Sequence, residues 1–495
     1  MKLEIIKSKP HDIETDVIAI FLHQDEDMPY RFKTLDNNVN NQITDSLKDK
    51  EFKGELNETF VISSLGNLPA EKILLVGIGK KEEYKTDNIR QASATFFNYA
   101  KSKGAEKITA YLPNLLGVDT FASLLAEGAY LASYSFDKYK TKGDEDEDKE
   151  VKIFEIGCPG KKKKVKKAAE RGKILAESAN YTRSLQDLPA NIATPKYLAK
   201  EAKKLSKKYK KLSVNMLTKS DMKKENMNTI LGVSAGSAKE PRLVAFEYKG
   251  GKKGPVVLVG KGVTFDAGGL DIKPTKAMNN MHYDKCGALA VYGIVRAAAE
   301  LKLSIHLIGL TPLTENLTGG DAQKPRDIVK SHSGKTIEII NTDAEGRLIM
   351  ADTLAYSKKY KPEAIIDMAT LTGSCVVALG YVAAGLLGNN KKLLKKIEDA
   401  AEQTSEKVWQ LPLWKEYKKQ LKSDVADVKN IGEEGAGAIT AAAFLENFVP
   451  ENTNWAHLDI AGTAYIEKTK NPKPYASKGA TGYGVRLITE VLENW

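Results

Sequence analysis

Two short segments hold the residues whose types and spacing suit chemistry. The first reads VGKGVTFDAGGLDIKPT over residues 259–275 and continues as KAMNNMHYDKCGA to residue 288. It gathers Lys261, Asp266, Asp271, Lys273 and Asp284 among several glycines, which let a backbone turn tightly and approach a ligand. The second is NTDAEGRL, residues 341–348, where Asp343, Glu345 and Arg347 alternate. In an extended turn such alternate residues point to one side. Oxygen-rich clusters of this kind suit hard or borderline divalent ions. The chain has 6 histidines and no HExxH pattern, so such a site would be built from carboxylates. Asp266, Asp284, Asp343 and Glu345 could hold two metals about 3.5–4 Å apart, and water bound there would deprotonate near neutral pH. A single Asp beside Gly is ordinarily a turn or cap residue. Two dense segments, each following a strand, favour the metal reading. By themselves these residues fit several hydrolytic reactions. A two-metal phosphoesterase is among them, because Arg347 and Lys273 could serve a phosphate as readily as a carbonyl.

Strand signals precede both segments. PVVLVG (255–260) leads into the first and KTIEII (335–340) into the second. Sites in open α/β sheets lie at such strand ends. Helical patterns follow at 286–301 and 345–359, with strands at SIHLIGL and EAIIDMATL and a last helix at 483–493. The first third alternates in the same way. Strands are expected at KLEIIKS, DVIAIFL, KILLVGIG, ITAYLP and VKIFEIG, with helices at 88–101 and 120–134. This alternation argues for α/β sheets with parallel segments. VGIGKKEE is not a dinucleotide loop, since Glu82 stands where the third glycine belongs, and no P-loop spacing occurs. The acidic run at 143–150 reads as a solvated loop. A basic helix at about 163–185 reads as a connector, and the two prolines of QDLPANIATP mark a second unit.

Composition bounds the rest. The chain has 495 residues, 42% apolar and 28% charged, which excludes global disorder and a disulfide-stapled miniprotein. Its three cysteines are far apart, so neither a disulfide framework nor a CxxC zinc site can be built, and a reducing compartment is expected. The N-terminus lacks the apolar core of a signal peptide. Residues 368–390 carry no charge, but four Gly and two Asn make them a poor membrane span; a buried strand, loop and short helix are expected. The net charge of +11 and the lysine run at 161–167 leave nucleic-acid binding open as a second role, with no aromatic interleaving or known motif behind it.

VGKGVTFDAGGLDIKP, MHYDKCGA and above all NTDAEGRL resemble the leucyl aminopeptidase family, the cytosolic di-metal aminopeptidases. DLPANIATP, ATLTGS, ADVKNIG, AITAAAFLENFV, WAHLDIAG and GATGYGVRL follow in the family's order, so the resemblance covers roughly residues 185–490; earlier, SYSFDKYKT is the main familiar stretch. The resemblance implies that Asp266 and Glu345 bridge two metals, that Asp343 completes one site with a backbone carbonyl, and that Lys261 and Asp284 complete the other. Lys261 would then ligate as a neutral amine. Lys273 would stabilise the oxyanion of the tetrahedral intermediate, and Arg347 would hold a bicarbonate acting as general base. Met281, Thr370, Ala461 and Ala464 would form the first side-chain pocket, with Leu371 making backbone contacts to substrate. Asp271 receives no role, and His282, Cys286 and His457 are expected to pack. One departure is Arg326 in place of a family glycine, where the local turn is expected to differ.

The reading is an α/β protein of two domains. A smaller N-terminal α/β domain (1–165) carries no catalytic motif and is expected to make oligomer contacts. A helix and linker (166–189) lead to a larger catalytic α/β domain (190–495), whose mixed central sheet is flanked by helices. The implied activity is removal of unblocked, leucine-like N-terminal residues from peptides by a metal-bridging water, in cytoplasmic peptide turnover. Mn²⁺ or Zn²⁺ is expected, with Co²⁺ and Mg²⁺ compatible. The resemblance also implies a homohexamer with its catalytic domains clustered inside, peptides as partners, and no membrane.

Overall fold

The computed structural model describes residues 1–112, 117–141, 150–158, 160, 162–467 and 472–495. The acidic run at 143–150 lies outside them except for its last residue. The chain divides into two compact units. One comprises Met1–Glu177 with Thr469–Ser477, the other Ser178–Lys468 with Lys478–Trp495. The division falls inside a single helix, Lys162–Gln186. Lys164, in the basic run, pairs with Asp119 at 3.0 Å.

The first unit is built on a six-stranded sheet ordered Lys2–Ile6, Ile153–Gly157, Lys107–Tyr111, Thr15–Leu22, Ala70–Gly77, Thr59–Ser63. Its pairings are parallel apart from the last, edge strand. Periodicity does not announce Thr59–Ser63 or the short helices Lys33–Asn38 and Gln42–Lys48. The edge strand is mostly exposed, so it carries little apolar alternation.

The second unit holds a nine-stranded mixed sheet. Its order is Val408–Gln410, Ala384–Gly388, Asn454–Asp459, Ala364–Ala369, Lys253–Gly260, Ile305–Asn316, Arg242–Lys249, Leu212–Leu217, with Gly262–Asp266 paired to Ile305–Asn316. Ala364–Ala369 and Asn454–Asp459 are nearly all buried, and so is Lys253–Gly260 from Val256 on, as continuous apolar strands covered on both faces should be. One face packs Val257, Val259, Ile365 and Trp455 against Leu348, Ile349, Ala351 and Leu354 of the helix Glu345–Tyr356. The helix Cys286–Leu301 packs against the central strands, and its alanines allow close approach. The protein is thus a two-domain mixed α/β fold, as the sequence implies.

Residues 368–390 end a strand, form the helix Gly373–Leu379 and continue into the strand Ala384–Gly388. No helix among the described residues is long and apolar enough to cross a membrane. The strand expected at 335–340 is shorter, Thr336–Glu338, because the amides of Ile340 and Asn341 turn to the Asn430 side chain instead of a ladder partner. Arg326 has a left-handed φ of 74°, and its guanidinium pairs with buried Glu338. Its amide donates to Ile339 O at 2.7 Å, which holds the strained residue in place.

Candidate active site

The strands Lys253–Gly260, Ala364–Ala369 and Asn454–Asp459 run parallel, so their C-terminal ends share one edge of the sheet. Lys261, Thr370 and Ala461 follow those three ends. Gly262–Asp266 pairs in parallel with the end of Ile305–Asn316, which sets Asp266 beside Asn316. Asp343 and Glu345 arrive at the start of the helix Glu345–Tyr356. Residues spread over more than a hundred positions therefore meet where parallel strands end.

The contacts are close. Lys261 Nζ lies 2.7 Å from Asp284 Oδ1 and 2.8 Å from Glu345 Oε1. Lys273 Nζ lies 2.8 Å from Asp266 Oδ2 and 2.5 Å from Asp343 Oδ1. One oxygen each of Asp266, Asp343 and Glu345 lie within 4.8 Å of one another. Two glycines make room. A Cβ at Gly346 would sit 2.4 Å from Lys261 Cε, and Gly268 adopts a φ of 91° with its Cβ position 2.4 Å from Asp271 O. The expected ligand residues and Lys273 are thus together. Arg347 begins the same helix, is buried, and donates from Nη1 to Asn430 O at 2.7 Å. Among the described residues nothing hydrogen-bonds Arg347 Nε or Asp284 Oδ2, and both atoms are buried.

With all four carboxyls ionised, four carboxylates against two ammonium groups would leave 4 − 2 = 2 negative charges in a largely buried place, and the protein resists that excess. Burial pushes the Asp266 carboxyl up, and the charge of Glu345 adds to this, to about 7. Asp284 and Asp343 are raised too, with burial again the main cause. Burial also acts on Glu345, but Lys261 and Lys273 hold it below the ordinary glutamate range. For Lys261 burial favours the neutral amine, yet Asp284, Glu345 and Asp266 outweigh it and keep the ammonium above the ordinary lysine range. Lys273 is raised in the same way. Burial lowers Arg347 to about 10, against Glu345 and Asp459, so it remains charged at neutral pH. A buried excess of negative charge with an orphaned carboxylate oxygen fits divalent cations. A dication among these carboxylates would also take over the neutralising role of Lys261 and favour its free amine.

The expected pocket residues are tied to this cluster. Thr370 O accepts from Lys261 Nζ at 2.9 Å, and Thr370 Oγ1 donates to Asp284 Oδ1 at 2.8 Å. Met281 lies one turn before Asp284, whose amide donates to Met281 O. Leu371 and Ala461 are joined through the Asp459 carboxylate. Ala464 is buried, and its amide donates to Ile460 O. His282 stacks on Tyr283, His457 is buried against Asp367, and Cys286 is buried in its helix. Several contributors receive no role from the sequence. Asn316 Nδ2 donates to Asp266 Oδ1 at 2.8 Å and to Thr342 O at 3.2 Å. Asp271 Oδ2 accepts from Thr342 N at 2.7 Å, which stitches the two motif segments together. Asn430 accepts from Arg347 and orders residues 340–341. Asn430 sits in ADVKNIG, a segment whose family likeness is visible without showing which of its residues matters.

Comparison with known proteins gives the class first: the chain is an aminopeptidase, a hydrolase acting on peptides. The profile described as the cytosol aminopeptidase family, catalytic domain, matches residues 180–489, and that of the family's N-terminal domain matches residues 17–143. The protein belongs to the cytosol aminopeptidase family. It is 43% identical over 495 residues to a probable cytosol aminopeptidase of Geobacter sp. (strain M21), covering 99% of each chain. It is 44% identical over 464 residues to one of Geobacter sulfurreducens, covering 93% of this chain and 92% of the other. A mutant of tomato leucine aminopeptidase superposes with a TM-score of 0.89 at 30% identity, covering 100% of this chain and 97% of that one. The bottromycin maturation enzyme BotP in complex with Mn superposes with a TM-score of 0.86 at 28% identity, covering 97% and 99%.

Proposed function

We propose that the protein is a two-metal aminopeptidase that removes unblocked, leucine-like N-terminal residues from peptides in the cytoplasm. The observation that carries this is the gathering of four carboxylates, two of them paired to each lysine, at the ends of parallel strands. Asp266 and Glu345 would be shared by both cations, Asp343 would serve one, and Lys261 with Asp284 the other. When bound, the two divalent cations, Mn²⁺ or Zn²⁺ with Co²⁺ and Mg²⁺ compatible, supply an acidified water and a Lewis acid. The Mn complex of BotP supports this metal class.

The chain's own residues do the rest. Lys273, a raised ammonium with a partly accessible side chain, stabilises the oxyanion that develops on the scissile carbonyl. Arg347 keeps its position through Asn430 O and presents a buried, unengaged Nε–H. A planar anion such as bicarbonate suits that group and can carry the proton from nucleophile to leaving amine. Leu371 offers backbone contacts, and Met281, Thr370, Ala461 and Ala464 line a small, mostly apolar pocket for the first side chain. A free α-amine would be required because the end of the site held by Lys261 and Asp284 would receive it, and an acylated nitrogen has no basic lone pair to offer there. Assembly as a homohexamer belongs to the same reading. It is supported by large apolar residues exposed on the second unit, Val377, Tyr381, Val382, Trp409 and Trp414 among them.

The test is hydrolysis of leucine amide or anilide by metal-stripped enzyme, Mn²⁺- or Zn²⁺-reloaded enzyme and Asp343→Ala. N-acetylated substrate and a phosphate ester serve as controls. Metal-dependent release, lost in the variant and with the blocked amine, is expected. Cleavage that survives metal removal or acetylation, or a preference for the phosphate ester, would overturn the proposal.

A further inference from the structure

We infer that Asp459 is a positioning residue that fixes the spacing of the two loops around the first side-chain pocket, and thereby sets which N-terminal residues the enzyme accepts. The inference rests on the aminopeptidase reading above and extends it to a residue that neither motif contains.

Asp459 is fully buried at the end of the strand Asn454–Asp459. Its neighbour Ile460 donates to Ala369 O at 2.8 Å. Beyond this point one loop continues as Thr370, Leu371 and Thr372 and the other as Ala461 to Ala464. The Asp459 carboxylate spans both. Oδ1 accepts from Leu371 N at 3.1 Å and from Ala461 N at 3.2 Å, and Oδ2 accepts from Thr372 Oγ1 at 2.7 Å. Thr372 Oγ1 in turn accepts from Cys375 N at 3.0 Å and caps the helix Gly373–Leu379. One side chain therefore sets the distance between Leu371, Ala461 and the start of that helix.

Burial pushes the Asp459 carboxyl above its ordinary range, and His457, two residues earlier and on the same face of the strand, acts against that shift. Its Nδ1 lies 2.5 Å from Asp367 Oδ1, and Asp367 Oδ2 accepts from Trp455 Nε1 at 2.6 Å. Burial opposes a charged imidazole, but Asp367 and Asp459 hold its pKa above the ordinary value. Arg347 lies within electrostatic range on the other side. This is a rigid mount for a carboxylate that touches no metal-binding residue.

The role is separable from catalysis. Thr370, in the same loop as Leu371, is anchored independently by Asp284 through Oγ1 and by Lys261 through its carbonyl. Removing the Asp459 carboxylate frees the pocket end of the loop and leaves the carboxylates and lysines of the cluster in place. A shift of an ångström at the pocket wall changes how a leucine, an alanine and a phenylalanine side chain fit relative to one another.

The test uses the full-length, metal-loaded enzyme with alanine, leucine and phenylalanine anilides. For Asp459→Ala the ratios of kcat/KM among the three substrates are expected to change by about tenfold or more, mainly through KM, with the Mn²⁺ dissociation constant within about twofold of wild type. Asp459→Asn, whose amide oxygen can still accept from Leu371 N and Ala461 N, is expected to keep the ratios within about threefold. Thr372→Val removes the Oδ2 contact together with the cap on Cys375 N, keeps both amide contacts to Oδ1, and shows the same change at about twofold to fivefold, which also decides the matter if Asp459→Ala does not fold. A common loss for all three substrates, a parallel loss of Mn²⁺ affinity, or unchanged selectivity in Thr372→Val would overturn the inference. A wild-type enzyme inactive on every anilide would instead overturn the aminopeptidase reading on which it rests.

Discussion

On the proposed two-metal reading, loading this site with divalent cations should release protons, and the charge states of the cluster put a lower bound on how many. Lys261 is held as an ammonium by Asp284 and Glu345, above the ordinary value of 10.5. Freeing its amine at pH 8 therefore costs at least 1.36 × (10.5 − 8), about 3.4 kcal/mol, which the cation must supply. One full proton leaves with Lys261 at any pH from about 6 to 8. Asp266, raised to about 7, adds a fraction. That fraction is about 0.1 proton at pH 8 and about 0.9 at pH 6. The totals are about 1.1 and about 1.9 protons, and raised values at Asp284 and Asp343 make them lower bounds. Protons compete with the cation, so affinity rises with pH. Between pH 6 and pH 8 the Lys261 proton contributes about a hundredfold and Asp266 about tenfold, together about a thousandfold. Calorimetric titration with Mn²⁺ in buffers of different ionisation enthalpy reads the proton count directly. In Lys261→Gln the lysine proton leaves the count, offset in part by the carboxyls that Lys261 no longer holds down, while any proton lost from bound water is common to both proteins. A wild-type release below about half a proton at pH 8 would refute Lys261 as an amine ligand.

Lys273→Met should lower kcat by about a hundredfold to a thousandfold with little change in KM for leucine anilide, since it removes a charge that acts on the developing oxyanion. Asn316→Ala leaves Asp266 Oδ1 without its side-chain amide donor. It should weaken Mn²⁺ binding by about tenfold to a hundredfold in a competition titration, with melting nearly unchanged. Arg326→Gly relieves a left-handed φ worth about 1 kcal/mol but loses a solvent-exposed guanidinium pair worth at most about that much and adds unfolded-state freedom. Its denaturation midpoint should therefore move by no more than about 1 kcal/mol and its activity should be retained. A larger change would mean that Arg326 does more than hold its turn.

Much of the site is legible before any folding is known. NTDAEGRL and the 259–288 segment contain every residue of the carboxylate and lysine cluster. This follows from where they must sit: a chain leaving a buried parallel strand turns at once, so ligands fall within a few residues of an apolar run and beside glycines such as Gly268 and Gly346. The helix Cys286–Leu301 is legible for a related reason, since its composition alone requires burial along one continuous element.

The residues that hold the cluster together are not legible in this way. Asn316, Asn430 and Asp459 end strands or begin loops, and although Asn430 and Asp459 lie in family-like segments, partners that define their roles lie dozens of positions away. Their roles exist only once Lys253–Gly260, Ile305–Asn316, Ala364–Ala369 and Asn454–Asp459 are set side by side in register. The same holds for residues 472–477, which join the first unit by tertiary contact, and for Arg326, whose left-handed backbone is fixed by Ile339 and Glu338 against its own local preference. The sequence by itself determined the family and which carboxylates and lysines are candidates for the site, because residue type and local turning are short-range properties. The sheet register decided which carboxylates face one another, how Lys261 and Lys273 are shared among them, and which buried Asp spans the pocket, because those depend on strand ends brought together across the fold.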